Sequence, residues 1–153
     1  MIDKILVEEL EKLKKDGKTI GLCHGCFDIL HYGHILHFKE AKSMVDHLVV
    51  SVTCDKYVNK GSNRPIFIDS ERAEVLKAIK YIDKVVISYS DTAINIMKHI
   101  PFDVYIKGPD YKDSNDKRLK SEIDYAKTKG KVYYTSGVKY SSSKVIEIFS
   151  STN

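Results

Sequence analysis

Apolar residues recur along this chain in two alternating rhythms. Ile2, Ile5, Leu6, Leu10 and Leu13 fall at three- and four-residue spacing, the mark of an amphipathic helix, and Gly17 stands where such a helix can stop in a left-handed turn. The short run KTIGLCHG (18–25) then reads as a strand, and a helix from Tyr32 follows with Ile35, Phe38 and Ala41 on one face. The same exchange continues to the end. Strands are predicted over 47–55, 84–89, 103–108 and 131–136. Helices are predicted over 70–80, capped by Asp69 or Ser70; over 91–100, capped by Asp91 and stopped by Pro101; over 117–130; and over 141–149. A lysine-rich loop runs to Pro65, and a polar loop spans 110–115.

Strands that alternate with helices in this way build a parallel sheet with crossover helices. The pattern predicts an α/β fold: one Rossmann-like domain over residues 1–153, an opening helix (1–17) and a core (18–149) with a five-stranded parallel sheet and helices on both faces. At 153 residues one core is expected, and no repeat or linker-like tract interrupts it. Ligands of such sheets gather beyond the carboxyl ends of the strands, so the segments just after Gly25, Cys54, Ile106 and Ser136 deserve scrutiny.

Composition narrows the partners. A net charge of +4, with 25 basic residues interspersed among 21 acidic ones, does not point to nucleic acid. It leaves room for a locally basic pocket that takes a phosphorylated ligand. No apolar run reaches the ~20 residues that span a bilayer, and the first residues lack the apolar core and cleavage site of a signal peptide, so a cytoplasmic protein with no membrane partner is expected. Cys23, Cys26 and Cys54 make an odd count, and Cys23 and Cys26 form a C-x-x-C around His24. No second Cys or His pair stands at a zinc-ligand spacing, so buried thiols are expected rather than a metal site.

The chemistry concentrates in GCFDILHYGH, residues 25–34, between the first strand and its helix. His31 and His34 are three apart, so on a helix they share a face within one turn. Gly33 allows a ligand close to the backbone, and a helix N-terminus offers N–H groups and partial positive charge to phosphate. Asp28 lies just ahead, at the strand end.

This string closely resembles the H-x-G-H signature of the nucleotidylyltransferases related to class I aminoacyl-tRNA synthetases. The likeness runs from about residue 18 to 148. NKGSNRPIFIDSERAEVLKAIKYIDKVV is similar to the segment after the second strand in glycerol-3-phosphate cytidylyltransferases and heptose adenylyltransferases, with Lys60, Arg64 and Arg72 at its basic positions. IKGPDYKDS resembles the heptose branch more than the glycerol branch. Ser141, Ser142 and Ser143 match a cluster that donates to β- and γ-phosphates, although the lead-in SGVKYSSSK lacks the arginine and glutamate of the cytidylyltransferase pattern.

The resemblance implies transfer of a nucleoside monophosphate to a phosphorylated acceptor with release of pyrophosphate. His31, His34 and Lys60 would be the catalytic residues. Gly25, Cys26, Phe27, Asp28, Gly33, Arg72, Lys107, Gly108, Asp110 and the three serines would meet nucleotide or phosphate. Asp28, Arg64, Asp110 and Tyr111 would meet the acceptor. Mg²⁺ would arrive with the triphosphate, without a dedicated protein cage, and the protein would be a homodimer. The helix N-terminus should depress the histidine pKa values, and bound triphosphate should raise them. Two acceptor readings stay open, a heptose 1-phosphate with ATP and a glycerol or other polyol phosphate with CTP. A nucleotide-binding module without catalysis is the alternative from another class.

Overall fold

The computed structural model describes residues 2–137 and 142–151. Five strands, β1 (Ile20–Gly25), β2 (His47–Thr53), β3 (Lys84–Ser88), β4 (Val104–Lys107) and β5 (Lys131–Tyr134), form one all-parallel sheet in the order β3-β2-β1-β4-β5. The connecting helices are α1 (Lys4–Lys15), α2 (Tyr32–Ser43), α3 (Asp69–Lys77), α4 (Ile94–His99), α5 (Lys117–Lys129) and α6 (Ser142–Ser151). The strand order reverses at β1. That reversal opens a crevice above the carboxyl ends of β1 and β4, where an α/β sheet takes its ligand.

Alternation along β1 explains how both faces become covered. Ile20 and Leu22 face a core built with Leu6 and Leu10 of α1, Ile96 and Met97 of α4, and Leu119, Ile123 and Ala126 of α5. Cys23 faces the opposite core, with Phe38 and Ala41 of α2 and Ala73 and Leu76 of α3. Parallel strands buried on both faces need near-continuous apolar runs, and all of β2 after His47 is buried.

Several boundaries differ from the expectation, each for a local reason. Gly17 does take the left-handed conformation (φ 78°) just beyond α1. Ile5, counted on the apolar face of that helix, is largely exposed, and the buried stripe is carried by Leu6 and Leu10. Asp69 is the first residue of α3 instead of its cap, and its carboxylate accepts from the Asp55 N–H at 3.1 Å. Asp91 does not cap α4, which begins three residues later. The Thr92 hydroxyl accepts from Ile94 N–H there, and Glu122 accepts from Ala93 N–H. No helix among the described residues is long and apolar enough to cross a membrane.

Candidate active site at the carboxyl end of the central strands

Gly25 ends β1, and an added Cβ there would lie 2.8 Å from the Phe27 ring. The ring therefore folds back over its own strand end. Phe27 holds a left-handed backbone conformation (φ 52°), a strained state for a residue with a side chain. It packs edge-on to His34 at 5.8 Å and against Phe38 at 5.4 Å. This turn aims the next residues across the crevice.

His31 caps α2. Its Nδ1 accepts from the Gly33 N–H at 3.1 Å, while the His31 N–H donates to Nδ1 of His34 at 3.2 Å. A backbone N–H can only donate, so in each ring Nδ1 must be the bare nitrogen. Each neutral ring therefore carries its proton on Nε2. The two ring centroids lie 4.0 Å apart. Burial pushes both pKa values down: His34 falls to about 3, helped by the neighbouring His31, His37 and Lys60, and His31 falls despite the opposing pull of Asp110. The direction matches the expectation, but the cause is desolvation before any effect of the helix end. Gly33 serves the cap through its own N–H, which gives it a structural task beside the one expected for a ligand.

Both histidines line a cavity of about 480 Å³ together with Gly25, Cys26, Phe27, Asp28, Gly33, Lys60, Lys107, Gly108, Asp110, Tyr111 and Lys144. The expected catalytic trio, distant in sequence, thus shares one concavity. A second lobe of about 200 Å³ adjoins it through Cys26, Lys60, Lys107 and Tyr111, and is lined further by Tyr57, Asn59, Asp91, Asp116, Arg118 and Glu122. Lys60 is exposed and borders both lobes. Lys107 is buried, which lowers its pKa; it donates to the His24 carbonyl at 3.0 Å and stands 4.3 Å over the Tyr111 ring. Glu122, also buried, takes hydrogen bonds from Ala93 N–H and the Tyr105 hydroxyl.

Three expected ligand contacts have other partners. Arg72 is 1% exposed and lies outside both lobes. Its guanidinium donates to the carbonyls of Phe67, Cys26 and Thr53 and to Asp55, at 2.7–2.9 Å. It ties the loop after β1 to the end of β2. Asp28 lines the cavity, yet its carboxylate accepts from the N–H groups of Ile66 and Phe67 and from Arg64 Nε, all at 2.8–3.0 Å. Arg64 in turn donates to the Ser143 hydroxyl at 3.2 Å, linking the long loop to the first turn of α6. Ser142 opens α6, and Ser141 lies outside the described residues.

Five residues of the cavity lining, His24, His37, Ile106, Pro109 and Lys144, have no place in the expected set of site residues. His37 had a legible signal, since it follows His34 by the same three-residue step that separates His34 from His31. Of the cysteines, Cys23 and Cys54 are buried as expected, while Cys26 is partly open and borders both lobes. All three are free thiols, and burial raises the Cys23 pKa to about 12.

A parallel sheet whose switch-point crevice brings together capped imidazoles and lysines defines a nucleotide-handling α/β protein. The chain belongs to the cytidylyltransferase-like family, whose sequence profile matches residues 22–148. Bifunctional protein HldE of Campylobacter fetus subsp. fetus is 43% identical over 109 residues, which is 70% of this chain and 24% of that protein. The protein of the same name from Nitratiruptor is 41% identical over 111 residues, 69% of this chain and 24% of its own length. The matched stretch thus spans about a quarter of these curated relatives. The crystal structure of the lipopolysaccharide core biosynthesis protein from Thermoplasma volcanium superposes with a TM-score of 0.67 at 27% identity, covering 80% of this chain and 100% of that one.

Proposed function

We propose that this protein transfers a nucleoside monophosphate from a nucleoside triphosphate to a sugar phosphate and releases pyrophosphate, with ATP as donor and a heptose 1-phosphate as acceptor. The observation that carries the reading is the pair of Nε2-protonated imidazoles, His31 and His34, lining one cavity with Lys60. An oxygen of the acceptor phosphate attacks the α-phosphorus. The new P–O bond forms as the bond to the β-phosphate bridging oxygen breaks, and that oxygen leaves with pyrophosphate. Both reactants are anions, so the chain's work is positioning and electrostatic.

His31 and His34 donate through Nε2–H to phosphoryl oxygens, where negative charge builds. As neutral donors they act through the one ring proton they already carry, without taking up a second. Lys60, at the junction of the lobes, adds a mobile positive charge between donor and acceptor phosphates. The larger lobe takes the nucleotide, and the smaller one suits a polyhydroxylated acceptor, because Asp91, Asn59 and Arg118 offer acceptors and donors to hydroxyls.

Among the described residues no cluster of three His, Cys, Asp or Glu could hold a metal, and Asp28 is engaged by backbone and Arg64. A divalent cation would fit here as part of the triphosphate, with Asp110 a lining carboxylate that could serve it. Bound there, it would neutralise triphosphate charge. The Lys107–Tyr111 run lines the cavity, and Ser136, in the lead-in where the cytidylyltransferase pattern has its arginine, is bound to Glu40. Both observations favour the ATP reading over a CTP-dependent polyol-phosphate enzyme.

The test is pyrophosphate release by the purified chain with Mg²⁺, ATP or CTP, and heptose 1-phosphate or glycerol 3-phosphate. Release with ATP and heptose 1-phosphate is expected. Release only with CTP and glycerol 3-phosphate would replace this substrate assignment, and triphosphate binding without pyrophosphate in any combination would return the protein to a non-catalytic nucleotide module.

A further inference from the structure

α2 carries a third imidazole in the cavity. His37 stands one turn beyond His34, is 9% exposed, and borders the large lobe beside Ile106 and Gly108 at the end of β4. Its Nδ1 lies 2.8 Å from the hydroxyl of Thr135, itself buried just past β5. Thr135 is anchored in turn by its N–H, which donates to the Lys107 carbonyl at 2.9 Å. The ring orientation is therefore set from the far side of the sheet's central strands. Its Nε2 makes no hydrogen bond to the described residues and is not itself closed off, on a ring that lines the lobe.

An accessible ring nitrogen on an otherwise buried, anchored imidazole is placed to meet a ligand in the lobe. A phosphate is a poor candidate for that ligand. His37 sits in the second turn of the helix, away from the free N–H groups at its start that favour anions. A nucleobase is oriented by a few fixed hydrogen-bonding atoms in its pocket, and the anchored His37 supplies one.

We infer that His37 determines base specificity: its Nε2, held in place by Thr135, hydrogen-bonds the edge of the nucleobase in the large lobe. The inference rests on the reading of that lobe as a triphosphate site. His37 is then the specificity residue and Thr135 a positioning residue behind it. The motif histidines hold phosphate, which every nucleotide shares, and His37 reads the part that differs.

Binding calorimetry on the full chain with Mg²⁺ separates the possibilities. The probes are ATP, ITP, CTP, UTP and inorganic tripolyphosphate, which has the phosphates but no base. The wild type should prefer one base. His37→Leu should weaken that nucleotide about tenfold, the worth of one well-placed hydrogen bond, and leave tripolyphosphate unchanged. Thr135→Val should move the same nucleotide in the same direction by less. His37→Gln, which keeps a polar atom, serves if His37→Leu fails to fold. Equal loss of tripolyphosphate would make His37 a phosphate ligand and overturn the inference, as would an unchanged base ranking in the variant or a wild type that binds every base equally. A wild type that binds no triphosphate would instead remove the transfer reading beneath it.

Discussion

Asp28, Arg64 and Arg72 share a loop system with His31, His34 and Lys60, yet the two groups use their hydrogen-bonding capacity in opposite ways. The first three bind one another's loops: Arg72 holds three carbonyls and Asp55, and Asp28 holds Arg64 and the N–H groups of Ile66 and Phe67. The second three line the cavity. Charge alone does not mark a ligand residue. The group with the larger formal charges ties loops together, and the two imidazoles line the cavity that the proposed reaction uses. Changes in the first group should therefore act on stability, and changes in the second on turnover.

The largest effect should come from Arg72→Met. It leaves three carbonyls and Asp55 without their donor, so a loss of about 3 kcal/mol or more is expected in a urea unfolding midpoint. A variant with wild-type stability and lost nucleotide affinity would place Arg72 back among the phosphate ligands. His31→Ala and His34→Ala should each lower kcat by roughly one to three orders of magnitude, the scale of removing one donor to a developing charge. Their unfolding midpoints should stay far closer to wild type than that of Arg72→Met. Near-normal turnover in both would break the comparison.

Acid sharpens it further. His24 and His34 titrate near 3 and His37 near 4 in the fold, against 6.5 in a free ring. Between those values the unfolded chain holds more protons, so stability falls as pH drops from about 6.5 towards 4. A His34→Gln variant should lose up to ~1.4 kcal/mol per pH unit of that slope, measured by thermal unfolding from pH 7 to pH 4; an unchanged slope would mean that the ring is charged in the fold. The smallest effect belongs to Asp28→Asn. Burial would raise the Asp28 pKa, but the N–H groups of Phe67 and Ile66 and the Arg64 guanidinium hold it below the usual carboxylate value. Removing that charge should cost about 1 kcal/mol at neutral pH, and the deficit should shrink in strong acid, where the wild-type carboxylate also protonates.

The sheet was legible because each strand is a short apolar run and each crossover helix has its own period. Helix starts were less legible, since Asp69 and Asp91 each had a side chain suited to capping and were taken by other contacts. The motif histidines could be placed because their spacing and their position after β1 are both local. Asp28 could not be resolved in the same way: its partners lie 36 to 39 residues onward, in a loop with no periodic signal. Arg72 did carry a warning. It shares the buried side of α3 with Ala73 and Leu76, and a cation in an apolar stripe is usually held by the fold.

The central claim is a protonation pattern, and nitrogen-15 NMR of the histidine rings reads it directly. At pH 7, His31 and His34 should both be neutral with the proton on Nε2, and both should shift when ATP and Mg²⁺ are added. A proton on Nδ1 of His34, or two rings that saturating triphosphate leaves untouched, would contradict the account.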